Sequence, residues 1–305
     1  MPEGDTLFRT AAGLRPYLLD RKVVAATARQ PGPRAGLLVG TTIVWVEARG
    51  KNLLIGFDSG LELRSHLGMH GSWHRYRPGE PWRRAPARAR IVIEVAGSVV
   101  ICFDAPTVEL LETRAEHLHR PLGGLGPDLL GDTFDDLDEA DGLGRLRAPE
   151  RGEWTIADAL LDQRAVAGIG NVYCDETLFL EGIDPFAAVG SLSDDALLGL
   201  VRRARALLLA NRDRARRVTT PDGIARTGRR LWVYGRAGRP CLRCGSRLAA
   251  RRHGTLPRRR TWCPVCQAPR DTHAPRAPTQ PTAGPAPAAR PCAGARPTAQ
   301  HVHPP

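Results

Sequence analysis

The sequence predicts an α+β multidomain protein: an antiparallel β half with a flanking helix, then a helical half that ends in a four-cysteine β-ribbon. Three observations predict it. Between residues 20 and 103, short apolar runs alternate with glycines and polar turns, the rhythm of antiparallel strands. After residue 150, apolar residues recur at helical spacing behind capping residues. At 241–266, two Cys-x-x-Cys pairs flank an 18-residue insert.

In chain order, Pro2-Glu3-Gly4-Asp5-Thr6 precedes an amphipathic helix at 7–19. Leu7, Ala11, Leu14 and Leu18 form its stripe, Arg9 and Arg15 lie off it, and Asp5 or Thr6 can cap its start. Strand-like runs follow at 23–26, 42–46, 53–57, 61–63, 91–95 and 99–103, and they suit a sandwich or a barrel. Arg49-Gly50-Lys51-Asn52 falls between two runs as a hairpin tip. His66-Leu67-Gly68-Met69-His70-Gly71 is a second loop. Taken singly, Lys51 reads as a solvated turn lysine and Met69 as a core filler.

Residues 126–150 are acidic and rich in loop formers, so they are expected to link the two halves. Thr155 and Asp158 have capping-box spacing for a helix whose apolar face is Ile156, Ala159, Leu160 and Val166. Gly168-Ile169-Gly170 breaks it, and Asn171 caps the next helix, with Asp175 and Glu176 in its first turns. Gly182 and Pro185 stop that helix, and Ser193 caps a third. The glycine corner has a physical use: backbone can approach a ligand there, and the N–H groups of the next helix attract an anion such as phosphate. A plain packing corner is the alternative. Residues 231–236 read as a strand entering the ribbon, and 268–305, rich in Pro, Ala, Arg and Thr, as a disordered tail.

Composition narrows the class. The 305 residues carry a formal charge of +12. That excess suits a polyanionic partner through counterion release, with a merely solvated basic surface as the alternative. Of 44 basic residues only Lys22 and Lys51 are lysines; the Arg, Ala, Gly and Pro bias is what a GC-rich genome produces. No stretch is long and apolar enough to span a membrane, and the first residues lack the apolar core of a secretion signal. Cys102, Cys174 and Cys292 show no pairing pattern, which fits a reducing compartment. A soluble, cytoplasmic protein is expected.

The cysteine spacing fits one tetrahedral Zn2+ held by Cys241, Cys244, Cys263 and Cys266. Four thiolates fill the coordination sphere, so the metal is structural and staples a hairpin that has no core of its own. Two disulfides are the alternative. The insert carries Arg247, Arg251, Arg252, Arg258, Arg259 and Arg260 with almost no acid, which suits a probe for nucleic acid.

Four separated pieces point one way: Pro2-Glu3-Gly4; Gly50-Lys51-Asn52-Leu53-Leu54; the run 160–173 ending in Gly168-Ile169-Gly170-Asn171-Val172-Tyr173; and the ribbon ending in Trp262-Cys263-Pro264-Val265-Cys266-Gln267. In this order and spacing the chain resembles the formamidopyrimidine-DNA glycosylase/endonuclease VIII family of base-excision repair enzymes over residues 1–267. The resemblance implies a catalytic β-sandwich at 1–125, a linker at 126–150, a helix–two-turn–helix DNA-binding domain at 151–230 and a zinc ribbon at 231–267. It implies a bifunctional DNA glycosylase/AP lyase. Pro2, freed by loss of Met1, is the implied nucleophile, and α-amino groups titrate at about 7.7–8.0 in free peptides. Its amine would attack sugar C1′, displace the damaged base and leave an iminium, after which β,δ-elimination cuts the strand. Glu3 is the implied general acid/base. Lys51, Gly170 and Asn171 are implied to hold phosphate, as is Arg258 from the ribbon, with Arg259 or Arg260 as substitutes. Met69 is implied to fill the gap left by the flipped base.

Two departures bear on substrate. Where the family usually carries Glu near position 6, this chain has Asp5-Thr6. Where its 8-oxoguanine enzymes carry an Arg-Arg-Phe wedge, this chain reads Ala105-Pro106-Thr107-Val108-Glu109. The Gly-Asp-Thr start resembles an actinobacterial branch of endonuclease VIII. Oxidised pyrimidines are the expected substrates, with abasic sites cut as well; a purine-lesion glycosylase of the same family is the alternative. The expected partner is damaged double-stranded DNA, with no membrane and no small-molecule cofactor, and the chain is expected to act as a monomer. A catalytically idle DNA binder and an RNA-binding zinc-ribbon protein compete with this reading; intact Pro2-Glu3 and Lys51 favour the enzyme.

Overall fold

The computed structural model describes residues 2–254 and 257–268. The expected tail lies, apart from Ala268, outside the described residues, and so does Met1.

The first half is a sandwich of two four-stranded antiparallel sheets. Its strands are β1 (Val23–Ala28), β2 (Ile43–Arg49), β3 (Asn52–Phe57), β4 (Leu61–His66), β5 (Ser72–Tyr76), β6 (Ala89–Val95), β7 (Ser98–Phe103) and β8 (Thr107–Glu112). They pair in the orders β1-β6-β7-β5 and β2-β3-β4-β8. All six predicted runs are strands. The two that sequence missed, β5 and β8, are edge strands with one buried residue each, Tyr76 and Val108, so neither shows an apolar alternation.

Helix α1 (Gly4–Leu18) lays Leu7, Ala11, Leu14 and Leu18 into the core beside Leu53, Ile55, Ile93 and Val100. Each buried leucine contributes about 1.5–3 kcal/mol, so the stripe anchors the chain's first residues to the sandwich. The start of this helix differs from expectation. Glu3 occupies the cap position, and no side chain caps there. Asp5 bonds instead to Arg9 and Arg217.

After the short α2 (Arg120–Gly123), the stretch expected as a linker opens the helical half instead. Leu129, Leu130 and Leu146 are buried in the helical core, and α3 (Asp136–Leu146) starts from a capping box between Asp135 and Asp138. The acids that suggested a loop are cap and first-turn residues.

Thr155 caps α4 (Ile156–Leu161) as expected, yet this helix stops well before the glycine corner. Asp162 turns away to pair with Arg151 and Arg164. The Gln163 amide then staples the loop, donating to the carbonyls of Leu161 and Ile169 and accepting from Gly168 N–H. Helix α5 (Asn171–Glu181) starts from Gly170 as cap residue, not from Asn171, and ends at Gly182 with φ 67°. It is buried on nearly every face. Ser193 caps α6 (Asp194–Asn211), and α7 (Asp222–Ala225) follows. The ribbon hairpin is β9 (Ala249–His253) with β10 (Arg258–Trp262).

Residues 231–236 are turns, not the expected strand. The buried Glu176 carboxylate accepts the N–H groups of Trp232, Val233 and Tyr234 at 2.8, 2.9 and 2.8 Å and curls that backbone around itself.

Candidate active site and nucleic-acid interface

Sandwich and helices meet at the glycine corner, and Glu3 is the bolt. Its side chain is fully buried. Oε2 accepts from Gly170 N–H at 2.9 Å and Tyr173 N–H at 3.3 Å; Oε1 accepts from Val172 N–H at 2.9 Å. Gly4 N–H donates to Gly168 C=O at 3.0 Å. A Cβ on Gly170 would lie 2.3 Å from Glu3 Cδ, so only glycine leaves room for this carboxylate. The corner does attract an anion, as helix N-termini do, but the anion is Glu3. This corrects the expectation for Gly170: it is buried, and its N–H is committed to Glu3 instead of DNA phosphate.

Pro2 stands half-buried beside this bolt, at the wall of a cleft of about 1050 Å³ that Arg9, Arg217, Arg229, Arg230 and Arg236 also line. A polyanion entering the cleft meets concentrated positive charge.

The Lys51 turn closes in from the sandwich. Gly50, at φ +56°, donates N–H to Asp128 Oδ2 at 2.7 Å, and a Cβ there would sit 3.1 Å from Ala167 Cβ. Asn52 braces the other side, donating to Arg49 C=O at 3.1 Å and accepting from Arg64 Nε at 3.0 Å. Lys51 itself is half-buried. Burial first, then Arg258 and Arg260, push its ammonium down to about 8, against the opposing pull of Glu3. The cation is therefore nearly complete below pH 7 and is lost as pH rises through 8. Duplex affinity should fall about tenfold between pH 7 and 9 at fixed salt, the worth of one charge-assisted contact. Fluorescence anisotropy checks this, and Lys51→Arg should flatten the profile.

The ribbon supplies the third side. β10 alternates, so Arg258 and Arg260 share a face while Arg259 points the other way and is exposed. Arg260 is 1% exposed; it pairs with Asp175 Oδ1 at 3.0 Å and donates to Asn171 Oδ1. That corrects Arg260 as a substitute finger: its guanidinium is spent on locking ribbon to corner. Arg258 is half-buried and close enough to depress the Lys51 ammonium. Of the residues expected at the site, the structure places Pro2, Glu3, Gly170, Asn171, Lys51 and Arg258 around the glycine corner. Met69 is 67% exposed in the loop after β4, whose Gly68 would touch Pro106 if it carried a Cβ.

Cys241, Cys244, Cys263 and Cys266 bring their Sγ atoms within 4.8 Å of one another. The Cys241–Cys266 and Cys244–Cys263 separations, 3.9 and 3.4 Å, are far too long for disulfides, which excludes that alternative. Four sulfurs around one Zn2+, each at about 2.3 Å, stand near such separations. Backbone N–H groups of Arg243 and Cys266 point at Cys241 and Cys263 Sγ, as thiolate ligands favour. The donor set fits zinc. Cys241→Ser should release the metal and unfold the ribbon while the sandwich stays folded; zinc analysis with circular dichroism reads both.

Sequence reasoning missed several supports. Asp128 braces the Lys51 turn, Asp175 and Glu176 anchor the ribbon, and Asp5 takes Arg217. Asp175-Glu176 had a signal: adjacent acids in a run from Val172 to Leu180 that is otherwise apolar but for Thr177.

The sequence pattern of the formamidopyrimidine-DNA glycosylase N-terminal domain matches residues 1–107, and that of the same enzymes' H2TH domain matches 126–217. A probable endonuclease 8 2 of Streptomyces coelicolor is 43% identical over 272 residues, covering 88% of this chain and 94% of the relative. The chain belongs to the formamidopyrimidine-DNA glycosylase/endonuclease 8 family. Within this family, a DNA-(apurinic or apyrimidinic site) lyase of Mycolicibacterium smegmatis is 44% identical over 267 residues, covering 88% and 99%. Among solved glycosylase structures, that of Lactococcus lactis bound to DNA with an AP site superposes with TM-score 0.72 at 25% identity, covering 88% and 100%. The Thermus thermophilus enzyme matches with TM-score 0.72 at 29% identity, covering 87% and 98%. The helical core that begins at 126 agrees with the H2TH match, and the glycine corner lies inside it.

Proposed function

We propose that the chain works through Pro2, whose amine, once Met1 is removed, attacks C1′ of a damaged nucleotide and carries the sugar as an iminium. The protein is a DNA glycosylase/AP lyase of base-excision repair. The observation that carries the mechanism is Glu3, buried and fixed by corner N–H groups, immediately next to Pro2 at the cleft wall. A carboxylate so held is fixed beside the amine that reacts and can serve as its acid or base. Lys51 and Arg258, close enough to influence each other, hold phosphate, and Asn171, braced by Arg260, adds a further contact to the strand. Zinc, bound by the four cysteines, supplies no chemistry; it closes the ribbon that carries Arg258.

The substrates proposed are oxidised pyrimidines and abasic sites in double-stranded DNA, handled by a monomer in the bacterial cytoplasm. A relative named as an AP lyase supports abasic sites as substrates, and relatives named endonuclease 8 support the endonuclease VIII-like reading. The wedge position supports it too: Thr107 opens β8, and Ala105 and Pro106 leave a short, small-sided approach. Cleavage of oligonucleotides carrying one defined lesion each tests this reading. Oxidised pyrimidines and abasic sites should be cut fastest; preference for 8-oxoguanine would reverse the substrate assignment. Arg258→Ala should weaken duplex binding and lower the salt slope by about one; an unchanged slope removes Arg258 from the interface.

A further inference from the structure

The first turn of α1 carries a second acid that the proposed reaction leaves unused. Asp5 is fully buried. Arg217, from the segment after α6, grips it twice: Nε donates to Oδ2 at 2.9 Å and Nη2 to Oδ1 at 2.6 Å. Nη2 also donates to Thr6 Oγ1 at 2.8 Å. The guanidinium lies over the Tyr173 ring at 5.3 Å, and its Nη1 stands 4.0 Å from Glu3 Oε1. One cation therefore faces two buried carboxylates. Its fork sits on Asp5 and stops short of Glu3 Oε1.

We infer that Asp5 is a positioning residue: it holds the Arg217 guanidinium off Glu3. This inference rests on Glu3 being the proton-transfer group. Fork-to-fork pairing is the strongest match between guanidinium and carboxylate. Made with Glu3, it would compete with the corner N–H groups for the same lone pairs and fix the carboxylate as an unreactive ion pair. Asp5 offers that pairing one turn further along the helix. Arg217 has no easy escape, because Asn211 pins the adjoining backbone, accepting Val218 N–H at 2.6 Å and donating to Val218 C=O at 3.0 Å. Arg9, the other cation on Asp5, is held by the Asn211 carbonyl at 2.7 Å. If Asp5 loses its charge, Glu3 Oε1, 4.0 Å from Nη1, is a carboxylate within reach of Arg217.

The test is an epistasis cycle on full-length, zinc-loaded protein, read as single-turnover formation of the borohydride-trapped adduct on an abasic duplex. Asp5→Asn should slow adduct formation about 100-fold, the scale of lost acid–base assistance, with duplex affinity within about threefold. Adding Arg217→Gln to Asp5→Asn should restore at least about tenfold, because the competing cation is gone. A pair that merely supports the fold would not recover on losing its second member. Asp5→Glu keeps the charge and should stay within about fivefold of wild type; it also serves if Asp5→Asn fails to fold. A double variant no faster than Asp5→Asn, or Asp5→Glu reduced about 100-fold, overturns the assignment. Absence of adduct from wild-type protein would instead defeat the Pro2/Glu3 reading itself.

Discussion

Glu3→Gln should abolish base excision and loosen the joint between the two halves. The carboxylate accepts at least three backbone N–H groups, with Val172 on Oε1 and Gly170 and Tyr173 on Oε2. An amide has one oxygen, so its NH2 must face at least one N–H whichever way it turns. A buried donor left unpaired costs about 1–3 kcal/mol, and loss of a positioned acid/base costs about 10²–10⁴-fold in rate. The variant should bind abasic duplex, melt lower and excise an oxidised pyrimidine at least about 100-fold more slowly. Glu3→Asp, one methylene short of the corner, should fail similarly. Single-turnover excision with denaturant unfolding separates the two losses. A Glu3→Gln protein of normal rate would remove Glu3 from the chemistry.

Arg260→Ala should be the largest loss of stability among the ribbon arginines. Arg260 and Asp175 are both buried and paired at 3.0 Å, and Asp175 also accepts Thr261 N–H at 3.0 Å. Removing one partner of a buried pair leaves the other charge uncompensated, at about 3–5 kcal/mol. Burial pushes Asp175 up to about 7 even with Arg260 present, so in the variant it takes up a proton at neutral pH and the loss falls toward the lower end of that range. The variant should therefore melt several degrees lower and lose order at the ribbon first. Arg258→Ala should leave melting within about 0.5 kcal/mol of wild type, as half-exposed positions do. Urea denaturation of both variants makes the contrast. If Arg260→Ala melted like wild type, Arg260 would be free to serve as a phosphate contact after all.

What was legible in the sequence follows from what each residue does locally. The six apolar runs, the caps at Thr155 and Ser193, the stop at Gly182 and the cysteine spacing all act within a few residues, so pattern finds them. Edge strands β5 and β8 bury one side chain each and leave no period to read. The acids were misread for a common reason. Asp5, Asp128, Asp175 and Glu176 resemble cap, loop and dipole residues in sequence, but their partners are Arg217, Gly50, Arg260 and Trp232 to Tyr234, far along the chain. The corner's role was half legible. Its glycines and N–H groups announced an anion, and nothing local could say that Glu3, 167 residues away, would be that anion.

The claim on which the mechanism stands is that the bond to DNA is made by the amine of Pro2. The sequence makes this unusually open to test, since Lys22 and Lys51 are the only side-chain amines it contains. Wild-type protein is reduced with borohydride on an abasic duplex, digested, and the cross-linked peptide mapped by mass spectrometry. The predicted result is one adduct, on a peptide that begins at Pro2 and has lost Met1. An adduct on Lys51 or Lys22, or active protein that still carries Met1, would contradict it.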